Sequence, residues 1–428
     1  MLRSPLALWC AFLLVHGWIL VVGVWWKPSE TFWDIDLYRW WVWQGLHQGV
    51  WPVLDGPWVY PVGALVPMLA AGVGGTGYGH GYALAWTLWL TAFNAAGVLA
   101  LLHAPRVIGH RQVARTQAGA WWWIAFIALL GPVAIGRLDG AVAPIVVGAL
   151  VLALRHPAVA SALLTFGAWV KVAPGALLLP LVLVVRRKAE VVAAAATVSA
   201  VVVLGVAAGG GAAHLTSFLD QQDGRGLQIE AVGATPWVLA STWRPDLRIE
   251  LNAELVTWEV HGTGTQAVAD ALGALFYLGL AAAAALLWWC TRRLGDRLWT
   301  DATVRAQVLM RGALLVSLLL IVLNKVGSPQ YVGWIAPPVA VALALRLPRW
   351  RTTACLVAGI AGVTQLVFPW GYADITGGGT GMVLVLAARN VALVVLTVLV
   401  VRDLVRDVRT AAPARAIPAE PRPEAQVS

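Results

Sequence analysis

The stretch Leu6-Ala-Leu-Trp-Cys-Ala-Phe-Leu-Leu-Val-His-Gly-Trp-Ile-Leu-Val-Val-Gly-Val-Trp-Trp26 carries no formal charge from end to end. A helix rises about 1.5 Å per residue, so about 20 such residues cross the roughly 30 Å hydrocarbon core of a bilayer. Arg3 precedes the stretch, and Trp25, Trp26 and Lys27 close it with residues that favour the headgroup layer. A cleaved signal peptide is the competing reading. No small-x-small site follows, however, so the stretch reads as an uncleaved anchor.

Eleven further apolar runs follow, near 81–103, 117–136, 140–154, 157–170, 172–185, 189–209, 267–290, 306–323, 331–347, 352–369 and 381–401. The 428 residues are 60% hydrophobic and 12% charged, with a mean hydropathy of +0.75. No soluble domain hides so much apolar surface. The expected fold is an all-α polytopic membrane bundle of about 12 transmembrane helices over residues 1–401. Cys10, Cys290 and Cys355 lie in or at the ends of spans and form neither a disulfide framework nor a metal-ligand spacing. The reading therefore includes no metal and no cofactor.

With the N-terminus inside, 20 of the 30 Lys and Arg fall on inner segments and 8 on outer ones, while Arg311 and Arg389 lie within spans. The inner set includes Arg106, Arg111, Arg115, the Arg186-Arg187-Lys188 run, Arg292, Arg293 and the tail arginines from Arg402. This is the positive-inside pattern, and it predicts cytoplasmic N- and C-termini. The net charge of +9 thus belongs to a membrane face and gives no reason to expect nucleic acid. An Ala-, Gly- and Val-rich, Lys-poor composition fits a GC-rich bacterial genome, hence a bacterial plasma membrane. The apolar run 60–75 is short and interrupted by Gly and Pro, and reads as a juxtamembrane or re-entrant piece. Two long outer loops remain, 27–80 and 210–266. Residues 402–428, ending rich in Pro, Ala and Glu, read as a disordered cytoplasmic tail. No strand pattern and no Gly-rich phosphate loop stands out, so a group donor would have to arrive carried by lipid.

The first outer loop holds Trp33-Asp34-Ile35-Asp36 and six tryptophans between 33 and 58. It predicts a helix lying in the headgroup layer, with Leu37, Trp40, Trp41 and Leu46 toward one face, Asp34 as N-cap and Gly49 as stop. Asp34 and Asp36 are the candidate catalytic residues. A sugar hydroxyl attacks well only as its proton leaves, and a placed carboxylate can take that proton. Positions i and i+2 do not share a helical face, so one of the two acts alone. The structural alternative is a cap and a first-turn charge.

Cations on the outer face are few. Arg137 with Asp139 occupies a short turn, where the two could pair with each other. Lys171 and Lys325 interrupt apolar runs beside Gly and Pro, and Arg225 stands in Asp-Gly-Arg-Gly-Leu-Gln228-Ile-Glu230. Ionisable groups at such depth are expensive and mark sites. A departing lipid phosphate needs such cations. Arg389 is expected to pair inside the protein.

In their order and sidedness these pieces resemble the GT-C superfamily of membrane glycosyltransferases. Within it they resemble glycosyltransferase family 87, which contains the mycobacterial polyprenol-phosphate-mannose-dependent mannosyltransferases. The resemblance is carried by Asp34-Ile-Asp-Leu-Tyr38, Trp-Pro-Val-Leu-Asp55, Val59-Tyr60-Pro61-Val62, Gly136-Arg137-Leu-Asp139, Trp-Val-Lys171-Val-Ala-Pro174 and Lys325-Val-Gly-Ser-Pro-Gln330-Tyr331. Leu54, Val59 and Val62 depart from its pattern, where it has a basic residue, an acidic residue and a second proline. The resemblance implies a hexosyltransferase using a polyprenyl-phosphate sugar donor, mannose first, and inverting the anomeric carbon. It implies Asp34 as base and a cell-envelope glycolipid or polysaccharide acceptor on the extracytoplasmic face. It further implies Lys171, Arg225 and Lys325 on the phosphate, Gln228, Glu230 and Gln330 on sugar hydroxyls, and Asp55 and Tyr60 on the acceptor side, with Arg137 and Asp139 beside them. The rival class is a flippase or small-molecule transporter. Against it, no internal repeat pairs two halves, and the ionisable residues gather at one face rather than through the midplane.

Overall fold

The computed structural model describes residues 4–107, 117–253 and 256–411. Helix α1 (Pro5–Val21) begins with Pro5 at its first position and Ser4 Oγ accepting the Ala7 N–H, and a π turn carries it to Trp26. Then come α2 (Trp33–Gln48), α3 (Leu65–Ala71), α4 (Gly81–Val107), α5 (Ala118–Leu130), α6 (Asp139–Leu152), α7 (Pro157–Val170), α8 (Leu178–Val184) and α9 (Lys188–Ala208). A hairpin of β1 (Arg248–Asn252) and β2 (Thr257–His261) precedes α10 (Thr265–Leu294) and α11 (Ala302–Val322). The chain ends with α12 (Ala336–Ala344), α13 (Arg351–Gln365), α14 (Tyr372–Thr376) and α15 (Thr380–Ala411).

Among the described residues, seven helices are long and apolar enough to cross a membrane: α1 with its extension, α4, α9, α10, α11, α13 with its extension to Trp370, and α15. The chain is a polytopic helical membrane protein. The expected dozen full spans reduce to these seven plus shorter apolar helices. The runs at 117–136, 140–154, 157–170, 172–185 and 331–347 are cut short by proline and glycine. Gly131-Pro132 ends α5, Pro157 opens α7, Pro174 sits in a 3-10 turn before α8, and Pro337 lies in the first turn of α12. The run 60–75 is likewise a seven-residue helix with 3-10 turns on both sides. Helix α11 is the axis of the bundle, with 83% of its apolar window buried. Helix α9 is the opposite case at 11%, and its apolar flanks are left for lipid.

Two further expectations need correction. The second long loop contains an antiparallel ladder, Arg248 opposite His261 through Asn252 opposite Thr257, where no strand was expected. Its sequences, Arg-Ile-Glu-Leu-Asn and Thr-Trp-Glu-Val-His, alternate polar and apolar as a half-buried hairpin does. Helix α2 buries Ile35, Tyr38 and Val42, with Trp40 and Leu46 exposed on the face expected to be apolar. The tail does not start at 402, because α15 continues to Ala411; residues 412–428 of that expectation lie outside the described part.

The reason α15 continues is a buried ionic network at the end of the bundle remote from Asp34. Arg311 of α11 is fully buried beneath the Trp350 ring, 4.1 Å from its centroid. Its guanidinium donates to Thr353 Oγ1 (2.9 Å) and the Arg349 carbonyl (2.7 Å), and lies 3.4 Å from Asp403 and 3.8 Å from Asp407. Two aspartates one helical turn apart on α15 thus close around one arginine.

Candidate active site

Asp34 lies in the first turn of α2, but it does not cap the helix: Phe32 is the N-cap and no side chain bonds there. The carboxylate turns instead to Arg137, whose Nε is 2.9 Å from Asp34 Oδ2. The Asp34 side chain remains 23% exposed, while that of Arg137 is nearly covered. Arg137 is held by its Nη1, which donates to the carbonyls of Thr31 (3.0 Å) and Gly136 (2.8 Å). Gly136 is needed for this approach, because a Cβ there would stand 2.8 Å from the Thr31 carbonyl oxygen.

Asp36 points away from this pair. It accepts from Arg39 Nε at 2.7 Å and is 64% exposed, as the i, i+2 spacing requires. Arg39 also donates to the Thr76 carbonyl (2.8 Å) and lies under the Tyr78 ring, pinning α2 to the 75–80 loop. Gly49, at φ 72°, stops α2 as expected.

The expected Arg137–Asp139 pair does not form. Asp139 opens α6, is buried, and accepts from Trp334 Nε1 at 2.7 Å. Its second oxygen is 3.9 Å from Lys171 Nζ. That ammonium stands between two tyrosines, 4.8 Å from the Tyr60 ring centroid and 5.8 Å from that of Tyr331. Burial pulls its pKa down, but Asp139 and the two tyrosine oxygens outweigh that and hold it above the ordinary lysine range. Tyr60 is boxed by Tyr38, Trp41 and Trp58, all edge-on, and burial raises the pKa of both Tyr38 and Tyr60.

Two chain segments close the other side. The Gln228 N–H donates to the Lys325 carbonyl (3.0 Å), and Gln228 Oε1 accepts from the Gly327 N–H (3.3 Å). Buried Gln228 therefore ties 225–230 to 325–330 and does not face open space. Arg225 is close enough to Lys171 to repel it, and its Nε is buried without a hydrogen-bond acceptor. Gln330 lines a water-sized cavity of about 20 Å³ together with Asp139, Asn94 and Trp123. Glu230 is buried, with Arg389 donating to its backbone carbonyl (3.2 Å), which is the internal partner expected for Arg389.

The structure thus gathers Asp34, Tyr60, Arg137, Asp139, Lys171 and Arg225, with Gln228, Glu230, Lys325 and Gln330 on the segments behind them. Asp36 and Asp55 stand apart. Asp55 is exposed, and its carboxylate accepts the Trp51 N–H (2.6 Å) to close a turn. The sequence reading did not single out Trp334, Phe368 or Tyr372. Phe368 lies against the Arg137 guanidinium, 5.6 Å from centroid to carbon. The only available signal was an aromatic residue beside Gly or Pro at a span end.

Beside Lys171, an apolar cavity of about 570 Å³ runs between α7, α8 and α9, lined by Thr165, Trp169, Val172, Leu178, Val192 and Phe218. Among the described residues, no three His, Cys, Asp or Glu side chains converge as metal ligands would.

No curated protein and no solved structure matches the chain. The model of glycosyltransferase family 87 does match, over residues 58–245, which hold Tyr60, Arg137, Asp139, Lys171, Arg225, Gln228 and Glu230. The chain carries a glycosyltransferase family 87 domain across those residues and is a membrane glycosyltransferase.

Proposed function

We propose that the protein transfers a hexose, mannose first, from a polyprenyl-phosphate donor to a glycolipid or polysaccharide of the cell envelope, at the extracytoplasmic face. One observation carries this reading. Asp34, the partly exposed carboxylate of the cluster, is held by Arg137, with the buried Lys171–Asp139 pair and Arg225 close by.

Asp34 is the general base. Arg137 Nε holds Oδ2 and so fixes the carboxylate that is to meet the acceptor hydroxyl. The acceptor oxygen bonds to the anomeric carbon as the bond from that carbon to the phosphate oxygen breaks. The electron pair leaves with the polyprenyl phosphate, the hydroxyl proton goes to Asp34, and the anomeric carbon inverts. Lys171 and Arg225 face the growing phosphate charge, where fixed cations in a water-poor site lower the barrier most. Asp139 acts through Lys171. Buried and anchored by Trp334, it positions the ammonium rather than touching substrate. Lys325 lends a further cation at the same edge. The cavity between α7, α8 and α9 takes the isoprenoid chain: it is apolar, begins at Trp169 and Val172 on either side of Lys171, and adjoins the lipid-facing α9.

Purified protein in detergent, given polyprenyl-phosphate mannose and an envelope glycolipid fraction, is expected to form glycosylated product. Wild-type protein that forms none, with any hexosyl lipid phosphate, ends the proposal. Product without sealed vesicles also separates transfer from transport.

A further inference from the structure

Glu230 is a buried carboxylate that no step above uses, and its backbone is clamped. Arg389 Nη2 donates to its carbonyl (3.2 Å), and Asn390 Nδ2 reaches the next carbonyl, of Ala231 (3.4 Å), and Thr235 Oγ1 (2.8 Å). On the opposite side Gly327 lies so close that a Cβ there would strike the Glu230–Ala231 peptide. Such a clamp fixes the side chain's origin without engaging its carboxylate.

The group facing that carboxylate is the Tyr372 hydroxyl, at the first residue of α14. Tyr372 is only half-buried, so its ring reaches the edge of the site while Glu230 sits behind it. Phe368 lies edge-on to Tyr372 (5.2 Å between centroids), and the other side of Phe368 meets the Arg137 guanidinium at 5.6 Å. Tyr372 is therefore one aromatic ring away from the Asp34–Arg137 pair. None of the Glu230, Phe368 and Tyr372 side chains has a part in the catalytic scheme above.

An ionised carboxylate has only acceptors, and a phenol has one hydrogen. With that hydrogen directed at Glu230, the lone pairs of the Tyr372 oxygen are left for another donor. A group that meets them must donate, as an alcohol does. The Phe368 ring supplies an apolar wall at the same place, suited to the C–H side of a pyranose.

We infer that Tyr372 is a specificity-determining residue that accepts a hydrogen bond from one hydroxyl of the transferred sugar, with Glu230 as the positioning residue that aims its phenol and Phe368 as the adjoining wall. The inference rests on the proposed donor class and adds which part of the protein reads the sugar. Glu230, first assigned to sugar hydroxyls directly, acts through Tyr372 because its own carboxylate is covered.

The test is binding by the purified full-length chain in detergent of polyprenyl phosphate without sugar, polyprenyl-phosphate mannose and its four monodeoxy analogues. Wild-type protein is expected to disfavour one deoxy analogue by roughly ten- to a hundredfold, the cost of one unmade hydrogen bond in a covered site. Tyr372→Phe should erase that one preference by weakening mannose and the three analogues that keep the hydroxyl alike, leaving the disfavoured analogue and bare polyprenyl phosphate as in wild type. Glu230→Gln should weaken the same preference part-way, because an amide can donate to the phenol and let it rotate. A Tyr372→Phe protein that keeps the preference overturns the inference. So does one that loses all ligands, bare polyprenyl phosphate included, since the tyrosine would then be structural. A wild-type chain that binds none of the ligands overturns the donor assignment itself, and this inference with it.

Discussion

Arg137 reaches past its near neighbour Asp139 to pair with Asp34, Nε to Oδ2 at 2.9 Å, while Asp139 pairs with Lys171. Two ion pairs thus cross, and each joins segments far apart in the chain. The first orients a carboxylate that solvent still reaches. The second buries one completely.

Removing the proposed base should cost most. Asp34→Asn is expected to lower kcat on the order of 10²–10⁴-fold with little change in donor affinity. Asp36→Asn and Asp55→Asn should stay within a few-fold of wild type, since their carboxylates serve a surface pair and a turn. Initial rates with polyprenyl-phosphate mannose decide this, and a dead Asp36→Asn with an active Asp34→Asn would reverse the assignment.

Lys171→Met leaves the Asp139 carboxylate buried and uncompensated, a class of change that costs about 3–5 kcal/mol. The expected result is a sharp fall in thermal midpoint in detergent. Lys171→Met combined with Asp139→Leu should recover most of that stability while donor turnover stays lost. Full activity in the double variant would remove Lys171 from the phosphate.

Gly136→Ala forces the Thr31 carbonyl and the start of α6 apart. Arg137 then loses its backbone acceptor and its register with Asp34. Activity should fall at least about tenfold, with a smaller loss of stability than Lys171→Met causes. Comparing melting and turnover for the two variants checks the order.

Burial raises the Glu230 pKa from its ordinary 4.5, with the Tyr372 hydroxyl and Arg389 opposing. In that case the folded chain binds more protons than the unfolded one above pH 4.5, so stability declines as pH rises through the folded value. Glu230→Gln should flatten that decline in melting measured from acid to neutral pH. A slope unchanged by the substitution would contradict it. The raised Lys171 pKa works at the other extreme: its contribution is complete at neutral pH and fades only above the ordinary lysine value of 10.5.

Sidedness is open to a direct check. A cysteine placed at Gly56 should react with an impermeant maleimide added to intact cells, and one at Arg187 only after lysis. The opposite pattern would invert the orientation drawn from the arginines.

Much of this was readable from local chemistry. An acid directly after a charge-free span marked Asp34, and a lysine in Trp-Val-Lys171-Val-Ala-Pro marked an expensive buried cation. Pairing was not readable, because adjacency suggests Arg137 with Asp139 while tertiary packing brings Thr31 and Asp34 closer. The hairpin's alternation was present but brief, and was lost among longer apolar runs. Trp334, Phe368 and Tyr372 escaped notice because aromatic residues at span ends ordinarily signal the headgroup layer, and nothing local distinguishes a ring that turns inward.

The last helix is gripped at both tips. Near one, Asp403 and Asp407 embrace Arg311; near the other, Arg389 and Asn390 hold the Glu230–Ala231 peptide. It works as a tie-rod between the two ends of the bundle. A chain shortened before Asp403 would still contain every group assigned to chemistry, yet it would leave Arg311 entombed without a counter-charge and the sugar-reading wall braced from one side only. Affinity tags belong beyond Ala411, where the rod has already been fastened.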